Sequence, residues 1–491
     1  MTRVSSIRQT FLCMVETISP LHIGNGEMLQ KGIDFFQDGK SIQVLHRQRL
    51  FQEVEKLNKI GIAAFSNAVE EGTLADWIKS NGLQTKVKAY SAPCENNRGP
   101  NTIAVQLRDG FGRPIVPGSS LKGSMRTAIL WKFASENINS RLLQNEIEYY
   151  SKKPPRNSKF ADQNLCRKIF GKTPNENLMR TLTVGDVTFE HSALELQTVW
   201  VDRMVTAKQM LPKFPLFVES VQTGIQAKGQ LSFDLYLTEA EQQNKCFNFK
   251  MCLGLSVLLK ALRDRTAETI DHEINFFQQL KGHNCLRILD FYRNLQEQLR
   301  TLADNQTLFQ LGWGSGWRGM TGALLTQEDF KQNNFVLRKN LKLAPNHLNF
   351  PFPKSRKVAS KSDRGVPMGW IMLTLTPMDE VRRQEVERHQ ELRRKERVRQ
   401  AEKAAEAHRQ AELDDLPKEE RQVFLLERGE LQEKEVVTLY NQLDSMDAQL
   451  QLRTAKALKT YWQQVGKWRK KKMGKKQLAK VNKIKAILEK E

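Results

Sequence analysis

The stretch Pro114–Arg126, PIVPGSSLKGSMR, is the most distinctive pattern in this 491-residue chain. Two apolar residues, Ile115 and Val116, precede a Pro-Gly turn, and a segment of helical composition follows it. The pattern predicts a strand end, a tight turn and a helix capped by the hydroxyl of Ser119 or Ser120. Such a helix start exposes unpaired backbone N–H groups and the positive end of the helix dipole, which suits a phosphate.

Basic side chains follow in the same predicted helix. Lys122 and Arg126 are four residues apart, so we expect them to share an exposed helix face and to reach neighbouring phosphates. Together with Gly118, Ser119 and Ser120 they form the first group of candidate RNA-binding residues. The alternative is an ordinary helix cap with solvated charges. A serine acyl enzyme also uses an S-x-x-K string, but the accompanying S-D-N and K-T-G strings are absent from this sequence.

Three further glycine-containing strings extend the candidate site. They are PLHIGNG (Pro20–Gly26), GWGSGWRG (Gly312–Gly319), and FPKSR (Phe352–Arg356) followed by PMGW (Pro367–Trp370). Glycine lacks a Cβ and lets RNA backbone approach closely, tryptophan stacks on bases, and basic side chains meet phosphates. The candidate residues on these grounds are Gly24, Gly26, Gly312, Gly314, Gly316, Trp317, Arg318, Lys354 and Arg356. The alternative for the second string is a flexible turn with tryptophans in the core.

The composition indicates a polyanionic partner. The formal net charge is +22, and a protein this basic attracts nucleic acid or an anionic membrane surface. No apolar run reaches transmembrane length, and no signal-peptide core follows the N-terminus. The six cysteines are scattered without a CxxC pair, which argues against a structural zinc site and a disulfide framework. We therefore expect a cytoplasmic protein with no metal, cofactor, membrane partner or small-molecule substrate.

The order of predicted elements indicates an α+β fold. Strands are predicted near residues 11–18, 181–190, 231–237 and 366–375, and helices near 247–264 and 272–303, with surface loops at 91–102 and 151–162. Without the insertions, the order is β, α, β, β, α, β, the ferredoxin-like arrangement that the RRM shares. The fold alone does not give the function.

Composition changes sharply after Pro377. Residues 380–412 predict a solvated polar helix, and the amphipathic pattern of 421–468 predicts a helical hairpin or coiled coil. The basic residues near the C-terminus are consistent either with a solvated tail or with an RNA or partner contact. The predicted domains are an N-terminal region 1–240, a region 241–377 that completes its core, and a charged helical extension 378–491.

The four strings closely resemble those of the RAMP superfamily of CRISPR proteins. Their order and spacing are similar to those of the fifth-subunit family of type III-A (Csm) effector complexes, over roughly residues 10–376. The resemblance implies a ferredoxin-like RAMP architecture with large insertions. It also implies a crRNA-binding capping subunit with an antiviral role, whose partners are crRNA and other Csm or Cas subunits. A further expectation from the resemblance is that the subunit assists crRNA 3′-end maturation.

Two alternatives come from other functional classes. The first is a RAMP-type ribonuclease, with His22 as a general base or with Asp34 placed as in the target-cleaving members of the superfamily. Asp34 is far from the PGSSLKG string in this sequence, and neither residue has a nearby histidine or carboxylate cluster, so we expect no catalytic residue. The second alternative is a helical RNA-binding adaptor based on residues 380–491, which leaves the four glycine strings unexplained.

Overall fold

The computed structural model describes residues 7–93, 100–135, 137–153, 162–245, 249, 251–326, 331–361, 364–468 and 474–489. The chain divides into two compact units, Met1–Arg382 and Arg383–Glu491. The domain limits predicted at residues 240 and 377 stay a prediction.

The described residues form strands and helices throughout the first unit. The strands are β1 Arg8–Thr17, β2 Gly24–Gln30, β3 Phe35–Asp38, β4 Ser41–Leu45, β5 Lys88–Pro93, β6 Thr102–Gln106, β7 Ile115–Val116, β8 Leu182–Val184, β9 Val187–Thr188, β10 Leu194–Thr206, β11 Gln209–Val221, β12 Gln226–Asp234, β13 Gln306–Gln310, β14 Ser355–Lys361, β15 Arg364–Pro367 and β16 Trp370–Pro377. The helices are α1 Arg47–Val54, α2 Lys59–Glu70, α3 Leu74–Ser80, α4 Gln84–Val87, α5 Gly118–Ser135, α6 Asn137–Lys152, α7 Gln163–Phe170, α8 Leu235–Asn244, α9 Leu255–Gln278, α10 Cys285–Arg300 and α11 Lys331–Asn340.

The largest sheet confirms the predicted ferredoxin-like fold class, but the strand after the second helix of that pattern is β13 and not the segment predicted at 366–375. Its strands lie in the order β13-β16-β1-β12-β9-β7, and β8 also pairs with β12. The central strands β1 and β12 are antiparallel, with Phe11 opposite Leu231. Helix α5 precedes β8 and β9, and helix α9 connects β12 to β13, which is the split βαβ connection. Strand β16 is inserted between β13 and β1 and is the main departure from the simple pattern.

Alternating side chains place one face of this sheet in the main core. Phe11, Cys13 and Val15 of β1 are fully buried, whereas the residues between them are only partly buried. Residues of α5 and α9, including Met125 and Leu258, pack in the same hydrophobic cluster. The apolar positions of strands with period two and of helices with period near 3.6 therefore meet in one layer.

Two smaller sheets carry the remaining strands of this unit. One has the order β15-β14-β10-β11-β6-β2, so β2 forms one of its edges. The other is the three-stranded sheet β3-β4-β5, next to the helices α1–α4 in the chain.

Three local predictions need correction or fall outside the description. The strand predicted to reach residue 237 ends at Asp234, because its carboxylate accepts a hydrogen bond from the Leu237 N–H at 2.9 Å and caps α8. The break predicted between residues 264 and 272 is wrong, since α9 runs without interruption to Gln278. The predicted loops at 91–102 and 151–162 lie largely outside the described residues, which omit 94–99 and 154–161.

The C-terminal region is helical, as predicted. Its helices are α12 Met378–Asp415, α13 Lys418–Glu427, α14 Glu433–Asn441, α15 Ala448–Gln464 and α16 Lys475–Leu488. Helix α12 has no buried residue, whereas α13–α16 share a core that includes Leu439, Leu458, Trp462 and Ile484. The predicted helical hairpin or coiled coil is therefore a small helical bundle. Among the described residues, no helix is long and apolar enough to cross a membrane.

Candidate nucleic-acid interface

The four glycine-containing strings converge on the segment that begins at Pro20. The Trp313 N–H donates to the His22 carbonyl at 3.0 Å. Gln106 joins the next string, because its side-chain oxygen accepts from the Ile23 N–H at 2.9 Å and its side-chain nitrogen donates to the Ile115 carbonyl at 3.1 Å. These hydrogen bonds link three strings that lie far apart in the sequence.

The fourth string closes the same junction. The Gly369 N–H donates to the Pro20 carbonyl at 2.9 Å, and the Lys357 ammonium donates to the Trp313 carbonyl at 3.1 Å. Lys357 also lies over the Trp313 ring at 3.4 Å, and burial lowers the pKa of its ammonium to about 8. The strings thus form one continuous structural feature rather than four separate loops.

Several of the glycines are required by close packing against protein backbone. An added Cβ would lie 2.1 Å from the Val184 carbonyl oxygen at Gly118, 2.6 Å from the His22 carbonyl oxygen at Gly312, and 2.3 Å from the Met368 carbonyl oxygen at Gly314. No side chain fits at such distances. At these three positions the protein backbone fills the space in which the RNA backbone was predicted to lie. This corrects the prediction that Gly118, Gly312 and Gly314 leave room for RNA.

The remaining predicted glycines are exposed. Gly24 and Gly26 are exposed on the edge strand β2, and an added Cβ at Gly26 would meet nothing within 4 Å. Gly316 is also exposed and has a φ of +56°, a conformation that favours glycine. Gly26 and Gly316 can still admit a closely approaching backbone, whereas an added Cβ at Gly24 would lie 3.1 Å from His22 Nε2.

The start of α5 already holds an anion from the protein. The helix begins at Gly118, ahead of the serines predicted to cap it. The Gly118 N–H donates to a carboxylate oxygen of Asp186 at 2.7 Å, and the Ser120 N–H donates to the Pro117 carbonyl at 2.9 Å. Asp186 therefore occupies the position predicted for a phosphate, while Ser119 remains exposed.

The basic residues of α5 are also used internally. Lys122 is half-buried and donates to the Leu182 carbonyl of β8 at 2.7 Å. Burial lowers the pKa of its ammonium. Arg126 is half-buried and lies over the Phe170 ring at 5.1 Å. The exposed face predicted for this pair is not found, because both side chains fasten α5 to neighbouring elements.

Two of the predicted RNA-contacting arginines form ion pairs with helix α9. Arg356 makes a two-pronged contact with Glu273, at 2.7 Å from its Nε and 2.8 Å from its Nη2. Arg318 donates to Glu268 at 2.6 Å. Trp317 is half-buried and packs edge-on against the Phe352 ring at 5.6 Å. These contacts give Arg318, Arg356 and Trp317 a role within the fold.

Lys354 belongs to a cationic group that sequence analysis missed. We call Arg203, Lys213, His347 and Lys354 the hairpin cluster, because the first two lie on the β10–β11 hairpin. The Arg203 Nη2 and the His347 Nε2 are 3.0 Å apart. Partial burial lowers the pKa of the Lys354 ammonium, and the charges of Arg203 and Lys213 lower it further.

The hairpin cluster keeps its positive charge. Within the described ranges, no carboxylate lies within 4.0 Å of the Arg203, Lys213 or Lys354 charges. Strand β11, which carries Lys213, also exposes Phe214. The Phe214 residue is 45 % accessible, and aromatic rings of this kind stack on bases. Clustered cations without carboxylate partners suit a nucleic-acid strand. A long alternating hairpin at 194–221 is the sequence signal that would have located this group.

The two candidate catalytic side chains are enclosed. The His22 ring nitrogen Nδ1 donates to the Glu219 carbonyl at 2.6 Å, and only 3 % of His22 is exposed. Burial lowers the pKa of this imidazole. Asp34 is 2 % exposed, and its carboxylate accepts from the Gln30 N–H at 2.9 Å and from Arg47 Nε at 2.8 Å. Neither group has the access that a general base needs to reach a substrate proton.

Comparisons with known proteins agree on one family. A family model described as the RAMP superfamily matches residues 14–318. A curated Streptococcus thermophilus protein, Csm5, is 31% identical over 140 residues, which cover 25% of this chain and 38% of the relative. Csm5 of Methanocaldococcus jannaschii is 22% identical over 395 residues, covering 73% of this chain and 88% of the relative.

Two solved structures share the fold. A chain in a cryo-EM structure of a type III-A Csm–crRNA–target RNA ternary complex has a TM-score of 0.56 and 23% identity, and covers 74% of this chain and 100% of its own length. The crystal structure of T. onnurineus Csm5 has a TM-score of 0.52 and 22% identity, and covers 73% of this chain and 99% of its own length.

Proposed function

Because this chain belongs to the RAMP superfamily, we propose that it is a crRNA-binding structural and capping subunit of a type III-A CRISPR effector complex. The hairpin cluster is the observation that carries the proposal. Arg203 and Lys213 on the β10–β11 hairpin and Lys354 just before β14 have no carboxylate among the described residues to neutralise them, and a phosphodiester backbone supplies the missing charge. Gly24 and Gly26 on the edge strand β2 add exposed backbone of the same unit.

Other Csm subunits are the proposed protein partners. Support comes from the two curated relatives, both named Csm5, and from a structural neighbour that is part of a Csm–crRNA–target RNA complex. The proposed location of the chain is the cytoplasm. Assistance in crRNA 3′-end maturation stays a prediction.

Affinity purification tests this assignment most directly. The tagged full-length chain, purified from its native cell, is expected to carry along repeat-derived crRNA and further Csm subunits. Sequencing of the bound RNA and mass spectrometry of the bound proteins measure the outcome. Recovery of the chain with unrelated cellular RNA and no other effector subunit would contradict the proposed assembly and favour a general RNA-binding adaptor.

We also propose that the chain does not cleave RNA by itself. His22 and Asp34 are buried and hydrogen-bonded, so labelled crRNA precursor and complementary target should remain intact with either magnesium or EDTA. Denaturing gel electrophoresis of the products checks this expectation. Cleavage that survives purification and disappears in His22→Ala or Asp34→Ala would identify the chain as a ribonuclease; matched melting temperatures must show that the variants are folded.

A further inference from the structure

Charge is segregated along the C-terminal unit. Residues 448–491 contain fourteen lysines or arginines and two glutamates, whereas residues 383–447 contain thirteen basic and seventeen acidic residues. The excess of positive charge therefore lies in α15, α16 and the segments beside them. Like charges this dense repel one another, and the bundle forms in spite of that repulsion.

A few of these cations hold the bundle together. Arg453 binds Glu427 at 2.8 Å, and Lys483 binds Asp444 at 2.5 Å. Lys467 pairs with Glu433. Each pair joins a basic helix or its flank to the acidic part of the same unit, so these three cations are accounted for by folding.

Other lysines are not accounted for by folding. Lys475, Lys476 and Lys485 of α16 are exposed, and the described part of the chain places no carboxylate within 4.0 Å of them. Lys475 and Lys476 also occupy the first turn of α16, which has neither an acidic residue nor a side-chain cap. Cations at a helix N-terminus oppose the helix dipole, so these lysines cost stability. A local departure of this kind is typical of a functional surface.

The chemistry of the surface favours nucleic acid over a lipid surface. An in-plane membrane helix must offer an apolar face, but Val481 and Ile484 of α16 are buried in the bundle core. Trp462 and Trp468 are buried there as well, so these rings are not free for base stacking. Apart from Leu478, the exposed part of α16 is mainly polar and cationic, which suits phosphodiester groups and no particular base.

We propose that Lys475, Lys476 and Lys485 form a second nucleic-acid-binding surface, which holds the phosphodiester backbone without reading its sequence. This surface lies outside residues 14–318, the part that the superfamily model matches. It is therefore an activity that the proposed crRNA-binding role does not include.

Charge reversal in the full-length chain tests this surface. The triple variant Lys475→Glu, Lys476→Glu, Lys485→Glu loses three phosphate contacts. In fluorescence anisotropy, the slope of log affinity against log salt should become shallower by about two, since each contact on a single strand contributes about 0.7. The weakening should be similar for unrelated RNA sequences and for single-stranded DNA. The melting temperature should change little, because Lys475→Glu and Lys476→Glu in the first turn of α16 favour the helix dipole, whereas Lys485→Glu in the last turn opposes it.

A matched triple variant on α12, Arg388→Glu, Arg393→Glu, Arg399→Glu, changes the net charge equally at exposed positions. It should leave the salt slope nearly unchanged. Equal losses in both variants would show that net charge alone acts and would overturn the proposal, as would an unchanged slope in the α16 variant. Binding to phosphatidylserine vesicles that depends on the α16 lysines, without such dependence for RNA, would overturn it in favour of a membrane surface.

Discussion

Replacement of Arg356 by alanine should lower the free energy of unfolding by about 3–5 kcal/mol, the range for removing one partner of a buried ion pair. The side chains of Arg356 and Glu273 are only 14% and 4% exposed. The variant leaves the Glu273 carboxylate buried without its counter-charge. Chemical denaturation followed by circular dichroism measures the loss.

The dependence of the unfolding free energy on pH, measured at acid pH, is a second test of the Arg356–Glu273 pair. Burial raises the pKa of the Glu273 carboxyl, but the charge of Arg356 and the hydrogen bonds from Arg356 and His272 outweigh burial and hold the pKa at about 2. The pair therefore stabilises the wild-type fold above the carboxyl's ordinary pKa of 4.5, and this contribution is lost as the pH falls toward 2. In Arg356→Ala, burial is opposed only by the contact with His272, so the deficit against wild type should widen as the pH rises from about 3 to about 7.

Lys354→Ala is the control for the Arg356 experiment, because it removes a cation two residues earlier that has no ion pair among the described residues. Its stability should change by no more than about 0.5 kcal/mol. If Arg356→Ala instead melts like the wild type and loses RNA affinity, Arg356 contacts RNA, as the sequence analysis predicted.

The first three strands of the ferredoxin-like order were predictable because their signals are local, whereas the fourth strand, β13, was missed. The alternating apolar residues of β1 and the Pro-Gly turn before α5 each specify an element within a short stretch. The insertion of β16 beside β1 depends on pairing across most of the chain, as with Leu375 opposite Cys13. No short-range pattern encodes such a pairing.

The roles of the charged residues were harder to predict, since a cation's partner is rarely close in sequence. Arg356 looks like part of a basic groove until α9 brings Glu273 against it. Asp186 similarly reaches the start of α5 from beyond β8. Lys213 is inconspicuous in the sequence and acquires a candidate role only when the hairpin places it near Lys354. The glycine strings marked the right region, but three of their glycines serve packing between protein segments.

The double variant Lys213→Glu, Lys354→Glu should bind single-stranded RNA roughly tenfold to thirtyfold more weakly at about 0.1 M salt. Each lost phosphate contact removes about 0.7 of a logarithmic unit of affinity for every tenfold dilution below 1 M salt, so two contacts remove about 1.4. The slope of log affinity against log salt should fall by the same amount. Fluorescence anisotropy over a salt series measures both quantities.

Lys260→Glu with Arg287→Glu is the matched control, because it makes the same change in net charge at exposed positions of α9 and α10. If the hairpin cluster contacts the RNA backbone, the control should keep nearly the wild-type affinity and salt slope. Both double variants should keep the wild-type melting temperature. Equal weakening in the two variants would mean that the overall charge of +22 attracts RNA without a defined surface. That result would remove the observation on which the RNA-binding assignment rests, whatever the outcome for the α16 lysines.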